Sequence, residues 1–467
     1  MERDLKRDTA QLIEELSAAY TERFPRSAEL DRRAKRVMVD GGSHGYRLNR
    51  PFPVRIDSAQ GAYIRDVDGH DILDFWQGHF TNILGNNPAV VTSALAAAFA
   101  SGTGLQHGQT EALQIETAEL LCRCLRAEKI RFTTSGSLAT MYAIMLSKAF
   151  TGRDLVLKVG GGWHGAQPWG LKGVYFADGP QPWGPESEGL PAHLTDEVVV
   201  TRFNDPEELT EQFRTYGERL ACLIVEPFAG AGNFMLATPE YLRTARDLAE
   251  RYGTLLIFDE VISGFRFRAG DLGFLYGIRP DLVAVGKIIG GGMPVAAVAG
   301  RGDILALCGR EGGNRVAFTG GTYSAHPASL LAAKTMISYL MEHEAEVYPR
   351  LAALGAEMRR GIVEAFAAEG VAARCTGKPN ELVPGCSLLA VHFPYDDAIA
   401  LDSPHVVLDP AWCDTALSQR ILQLALLLEG VYTLLGSCAV GIAHSNAAME
   451  LLGDACRAAA RRIRPHL

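Results

Sequence analysis

The chain has 467 residues, enough for a large core and more than one compact domain. Apolar residues make up 48% and charged residues 21%, the balance of an ordinary globular protein. The net charge is −9, with no basic run or basic-aromatic stripe; this argues against a nucleic-acid surface and says little about substrate.

The start, Met1-Glu2-Arg3-Asp4, stays charged and lacks an apolar h-region, so no secretory signal is expected. No apolar stretch is long enough to span a bilayer, so no membrane partner is expected. The nine cysteines are scattered. Cys122 and Cys124 are too close for a CxxC knuckle, and reduced thiols in the cytoplasm are the expectation. Cys222, inside an apolar run, reads as a small core residue. The histidines show no metal-ligand spacing, so no metal is expected.

Leu5, Leu12, Ile13, Leu16, Tyr20 and Phe24 give residues 4–24 the spacing of an amphipathic helix. Residues 51–75 read as short strands with a turn at Asp68-Gly69. From about residue 128, apolar strands alternate with helices. Strands are predicted at 129–134, 154–159, 220–227, 254–261, 281–286 and 294–300. Helices are predicted at 137–150 and at 239–252, the latter ending at Gly253. The stretch 176–196, rich in Pro and Gly, reads as a long loop. The C-terminal part has long helices at its ends and strands near 386–393 and 430–435. The fold class is α/β: a large domain at 80–335 with a mainly parallel sheet and helices on both faces, and a smaller α+β domain at 336–467. Residues 1–79 are expected to join the smaller domain.

Three features fall at the C-terminal ends of predicted strands, where open α/β sheets place ligands. Thr134-Ser135-Gly136-Ser137, between strand and helix, offers backbone N–H groups and hydroxyls as a phosphate cradle; an ordinary N-cap is the alternative. Asp259-Glu260 ends the run TLLIFDEV, where a buried carboxylate needs a partner; a structural ion pair or a solvated strand end is the alternative. Lys287 follows an apolar strand and precedes three glycines, a place that desolvates an amine and makes it nucleophilic; a lysine reaching out of a turn is the alternative. Pyridoxal 5′-phosphate needs a lysine for its aldehyde, a carboxylate for its ring nitrogen and a cradle for its phosphate, and the three together meet those needs. Two glycine motifs lead elsewhere. Gly160 to Gly165 matches GxGxxG, but no helical pattern follows. Gly286-Lys287 resembles the end of a Walker motif, but Asp281 and Ile288 stand where Gly and Ser/Thr are required.

The segment IFDEVISGFR (257–266), followed by PDLVAVGKIIGGGMPVAAVAG (280–300), resembles the class III, fold-type I, pyridoxal-phosphate-dependent aminotransferases. The likeness spans roughly 35–450 and is greatest to the branch with glutamate-1-semialdehyde aminomutase and β-amino-acid aminotransferases. It implies that Lys287 forms the Schiff base and that Asp259 meets the pyridine nitrogen. It implies a phosphate loop of Ser135, Gly136 and Ser137, and a ring held between Trp163 and Val261. His164 and Glu226 would complete the cofactor site. Thr322, in GGTYSAHP, would reach the phosphate in a neighbouring subunit, which implies a homodimer with shared sites. His44, Arg47, Trp76 and His79 would line the substrate side.

The sequence also departs from the family pattern. Leu138 stands where the phosphate loop usually has a carboxylate, Trp163 where Tyr is usual, and His44 where an Arg often binds the substrate carboxylate. These departures leave the cofactor chemistry intact and point away from glutamate-1-semialdehyde. The implied activity is an aminotransferase moving an amino group between a small amine and a carbonyl acceptor. An aminomutase is the alternative, an epimerase or decarboxylase more remote. A turnover-free binding protein is opposed by Lys287 and Asp259 together; an NAD enzyme rests on the glycine match alone.

Overall fold

The computed structural model describes residues 9–174 and 184–467. The predicted N-terminal helix is present as Ala10–Arg23, followed by a second helix at Pro25–Ala34; residues 4–8 of the prediction lie outside the described residues. Leu12, Leu16 and Tyr20 form its buried stripe. The strands after it are β1 (Ile56–Gln60), β2 (Tyr63–Asp66) and β3 (Asp71–Asp74), an antiparallel meander whose β2–β3 turn contains Asp68-Gly69. Gly69 takes a φ of +98°, which a side chain resists.

The next strands are β4 (Lys129–Thr133), β5 (Leu155–Val159), β6 (Val198–Thr201) and β7 (Leu220–Val225). A two-residue pair, β8 (Phe228–Ala229) and β9 (Met235–Leu236), precedes β10 (Leu255–Glu260), β11 (Leu282–Val285) and β12 (Ala296–Gly300). Seven of these form one sheet in the order β4-β12-β11-β10-β7-β5-β6. The run from β11 to β6 is parallel, and β12 is antiparallel to both its neighbours. A continuous apolar strand buries both faces, and β7 and β10 do so by alternation. Leu223, Val225, Leu256 and Phe258 pack into the core on one side; Cys222, Ile224, Leu255 and Ile257 pack into the core on the other.

The sequence prediction omitted β6. It also carried the preceding loop through 196, whereas Ala192–Asp196 is a short helix; residues 176–183 of that loop lie outside the described residues. The GxGxxG stretch leads into turns, with no helix up to residue 174. Ser135 caps the helix Gly136–Thr151, its Oγ accepting from Leu138 N. Thr238 caps Pro239–Tyr252, and Gly253 closes that helix at a φ of +63°, as predicted.

In the C-terminal part, β13 (Arg374–Cys375), β14 (Leu388–His392) and β16 (Ser437–Ala439) form an antiparallel sheet. Between them in sequence, β15 (Val431–Tyr432) pairs with β3 and so ties the N-terminal strands to the C-terminal part. Long helices at Glu344–Ala368 and Asn446–Ile463 flank these strands. Buried residues from Leu12 to Phe75 share a core with Leu354 to Ile463, whereas Phe80 and Ile83 belong to the core of the seven-stranded sheet. All nine cysteines are free thiols, and Cys222 is fully buried. No described helix is long and apolar enough to cross a membrane. Among the described residues no His/Cys/Asp/Glu cluster has a metal-holding arrangement.

Candidate active site

A cavity of about 540 Å³ opens at the C-terminal ends of strands of the seven-stranded sheet. Thr134, Ser135 and Gly136 line it from the turn after β4, Val261 from the end of β10, Lys287 and Gly291–Val295 from the segment after β11, and Arg47 from the N-terminal part. Three predicted features spread between residues 134 and 287 are thus gathered by parallel strands that present their C-terminal ends together.

Lys287 begins a 3-10 turn with a φ of +49°, an uncommon value for a side-chain-bearing residue and one found at functional sites. Burial pulls its pKa below the ordinary lysine value, Asp259 and Glu226 oppose that shift, and Arg266 adds to it. Asp259 is 3% exposed. Its Oδ2 lies 2.8 Å from Nδ1 of His164, and its Oδ1 accepts from Val261 N at 3.1 Å. Burial lowers the His164 pKa, so the imidazole is neutral and Nδ1–H is its donor to Asp259. Nε2 of His164 is buried without a partner.

Glu226 accepts from Trp163 N (2.9 Å) and from Gly230 N (2.9 Å). Burial, and then Asp259, raise its pKa to about 8. Its carboxyl therefore seats the backbone that carries Trp163. Lys158, unassigned in the sequence, supports the same loop. Its buried Nζ donates to the carbonyls of Gly162 (3.0 Å), Gly170 (3.2 Å) and Lys172 (2.7 Å).

Close approaches shape the cradle. A Cβ on Gly136 would meet Val261 methyls at 2.9 Å, and one on Gly165 would meet Ser137 Oγ at 2.4 Å. Backbone from the first helical turn thus lies directly against Val261, and the Trp163-His164 loop lies against Ser137. The residues present fit a phosphate-bearing pyridine aldehyde. They supply a desolvated amine, a buried carboxylate with an imidazole behind it, and a hydroxyl- and glycine-lined helix start beside an open cavity.

The four substrate-side residues are brought together. His79 stacks against Trp76 with ring centroids 4.6 Å apart and meets His44 edge-on at 5.2 Å. Burial, then Lys287, His44 and Arg47, push the His79 pKa down to about 3, and burial and Arg47 lower that of His44. Both imidazoles are thus neutral near pH 7, which leaves Arg47 as the cation of this group. Thr322 is exposed and does not line this cavity; its carbonyl accepts from Gln106 Nε2 at 2.9 Å.

Sequence reasoning missed the backbone that presents His79. Gln77, Gly78, His79 and Phe80 have φ of 46°, 60°, 65° and 67°, a full left-handed turn. Three of the four carry side chains, at about 1–2 kcal/mol each. Neighbouring groups hold it there. Asp74, at the end of β3, accepts from Trp76 N (2.8 Å), Gln77 N (3.1 Å) and Asn86 Nδ2 (3.0 Å). The available signal was Asp74, a buried-strand aspartate just ahead of Phe75-Trp76, which the strand reading of 51–75 included without assigning it a role.

A mostly parallel sheet that gathers a buried lysine, a carboxylate–imidazole pair and a hydroxyl-glycine helix start at the C-terminal ends of its strands defines a pyridoxal-phosphate enzyme of fold type I. The family model described as aminotransferase class-III matches residues 46–377. The chain belongs to the class-III aminotransferase family. It is 36% identical to a glutamate-1-semialdehyde 2,1-aminomutase of Akkermansia muciniphila over 349 residues, 74% of this chain and 80% of that protein. An omega-transaminase from Sphaerobacter thermophilus superposes with a TM-score of 0.85 at 29% identity, covering 94% of this chain and 98% of the other. A β-phenylalanine aminotransferase from Variovorax paradoxus gives 0.81 at 27% identity, with 96% of each chain covered.

Proposed function

We propose that the chain transfers an amino group between a small carboxylate-bearing or polar amine and a carbonyl acceptor, with Lys287 and Asp259 as its catalytic residues. The observation that carries this reading is Lys287 on the cavity wall, its amine depressed by burial and its charge felt by Asp259, beside Val261 and the Ser135-Gly136 turn.

When bound, pyridoxal phosphate supplies an aldehyde for the substrate amine and a protonated ring that draws electrons from the reacting carbon. Ser135, Gly136 and Ser137 would hold the phosphate, and Trp163 and Val261 would flank the ring. Asp259 would face the ring nitrogen, and His164 orients that carboxylate through its Nδ1–H. Glu226 anchors the loop from behind. Nζ of Lys287 would hold the cofactor's aldehyde and, when free, would serve as the base and acid that moves the proton of the substrate carbon. Its lowered pKa keeps a larger neutral fraction available near pH 7 than an ordinary lysine has.

Arg47 is the carboxylate-binding candidate, since a guanidinium grips a carboxylate with two parallel hydrogen bonds and neutral His44 and His79 do not. Arg47→Ala is expected to cost on the order of 2–5 kcal/mol in apparent binding of the best carboxylate substrate, read as kcat/KM. An unchanged kcat/KM removes Arg47 from the site.

Two subunits are proposed to share each site, with Thr322 serving the partner's cofactor. Support comes from the exposure of Thr322 together with that of Tyr323 (62%) and Leu105 (73%), large apolar surfaces in one neighbourhood of the Gln106–Thr322 contact. Sedimentation is expected to give a dimer, and an active monomer would rule the arrangement out. Cytoplasmic residence and the domain division 1–79, 80–335 and 336–467 are proposed alongside. The core shared by Leu12–Phe75 and Leu354–Ile463 supports that division.

The second reading is an aminomutase, favoured by the 36% identity to a glutamate-1-semialdehyde 2,1-aminomutase. Absorbance of the bound cofactor during an amine screen, with products identified by mass spectrometry, separates the two. A transaminase consumes a second, accepting substrate and leaves a keto product, whereas a mutase conserves composition.

A further inference from the structure

Arg266 closes the run IFDEVISGFR, yet none of the roles above uses it. It is 2% exposed, and among the described residues no carboxylate lies within ion-pair distance. Isolated buried charge is costly, so its presence calls for a reason. Burial pulls its pKa down only to about 10, and the guanidinium stays charged at neutral pH.

Three parts of the molecule meet at this group. Nε donates to the carbonyl of Ile262 at 2.9 Å, in the segment just after Asp259 and Val261. One terminal nitrogen donates to Ser387 Oγ at 3.2 Å, immediately before β14. The other donates to the carbonyl of Phe80, the last residue of the left-handed turn. A cation suits that last partner, because the carbonyl end of a helical turn carries partial negative charge. A planar fork with fixed donors also suits three acceptors held at different angles better than a flexible ammonium.

We propose that Arg266 is a positioning residue that holds the left-handed turn Gln77–Phe80, and with it Trp76 and His79, in register with the segment bearing Asp259 and Val261 and with the C-terminal sheet. It acts at the C-terminal end of the turn while Asp74 acts at the N-terminal end. The turn is disfavoured for three of its four residues, so it persists only while both ends are held. The substrate wall is thereby fixed relative to the cofactor wall. This proposal rests on the functional reading above for the meaning of the cavity, but not for the clamp itself.

The test uses the full-length protein with pyridoxal phosphate, comparing the parent with Arg266→Met and Arg266→Lys. Hydrogen–deuterium exchange reads the turn directly. In Arg266→Met the amides of 77–82 are expected to exchange on the order of tenfold faster, the size of effect for losing a charge-assisted hydrogen bond, while β10 amides stay as in the parent. Cofactor absorbance is expected to be retained. KM for the best amine is expected to rise on the order of tenfold with kcat little changed, a split that general destabilisation does not produce. Arg266→Lys keeps the charge but not the three-way fork, and is expected to fall between the two.

Unchanged exchange at 77–82 in Arg266→Met overturns the proposal. If that variant does not fold, Arg266→Lys carries the same test, and exchange equal to the parent's overturns it there too. Failure of the functional reading looks different: the parent itself would show no cofactor absorbance or no response to amines, while the exchange comparison would still report on the clamp.

Discussion

Lys287→Ala is expected to leave the fold intact and abolish turnover. Two functions vanish with one side chain: the amine that bonds the cofactor, and the base that moves the proton. Proton transfer by a positioned side chain contributes about 10²–10⁴-fold by itself, so the combined loss is expected to exceed roughly 10⁴-fold in kcat. The near-visible absorbance that a cofactor bonded to lysine gives the protein is expected to shift at the same time. Absorbance and single-turnover kinetics check the two parts separately. Normal turnover by this variant would overturn the assignment of the site.

Asp259→Asn is expected to retain cofactor and turn over slowly. The carboxylate is buried and placed 2.8 Å from a neutral imidazole, so its negative charge is available to the ring nitrogen. An amide of nearly the same shape keeps one acceptor oxygen for the Nδ1–H of His164, but loses the charge and the second acceptor that meets Val261 N. Breaking a buried charge pair costs about 3–5 kcal/mol, which corresponds to roughly a 10²- to 10⁴-fold loss in kcat. Cofactor content by absorbance, measured with kcat on the same preparation, distinguishes weak binding from slow chemistry. An unchanged rate would reduce Asp259 to a support for His164.

The order of effects follows the order of contact with the reacting atoms. In the proposed site Lys287 does chemistry, Asp259 adjusts the charge that makes it possible, Arg47 selects what enters, and Arg266 holds the wall in place. Only the last acts wholly through other residues, and only its test needs a reading of backbone motion.

Much of this was written in the sequence in a direct way. Runs such as LACLIV and LLIFDE are apolar without interruption, and a strand so composed is stable only with both faces covered; that made the large sheet legible. Lys287 and Asp259 were legible because a charged residue at the end of such a run is conspicuous. The helix Pro239–Tyr252 was legible to its last residue because proline opens it and glycine closes it.

Other features depend on partners distant in the chain, and no local pattern encodes them. β6 is four residues long and abuts a loop, too short for a periodicity to register, and exists as a strand because β5 offers it an edge. β12 resembles its parallel neighbours in composition; its antiparallel direction follows from the short connection after Lys287. Lys158 reads as one polar residue in an apolar strand until three carbonyls converge on it. The left-handed turn at Gln77–Phe80 contradicts local preference at three residues, so the sequence argues against it. Asp74, 3 residues before its start, and Arg266, 186 residues beyond Phe80, hold it in place. Composition and local pattern thus determined the sheet, the strand ends proposed to bind the cofactor and the class of chemistry, because those depend on burial and on neighbours in sequence. Tertiary packing alone decided how the substrate wall is presented, because a disfavoured backbone persists only where distant groups hold it.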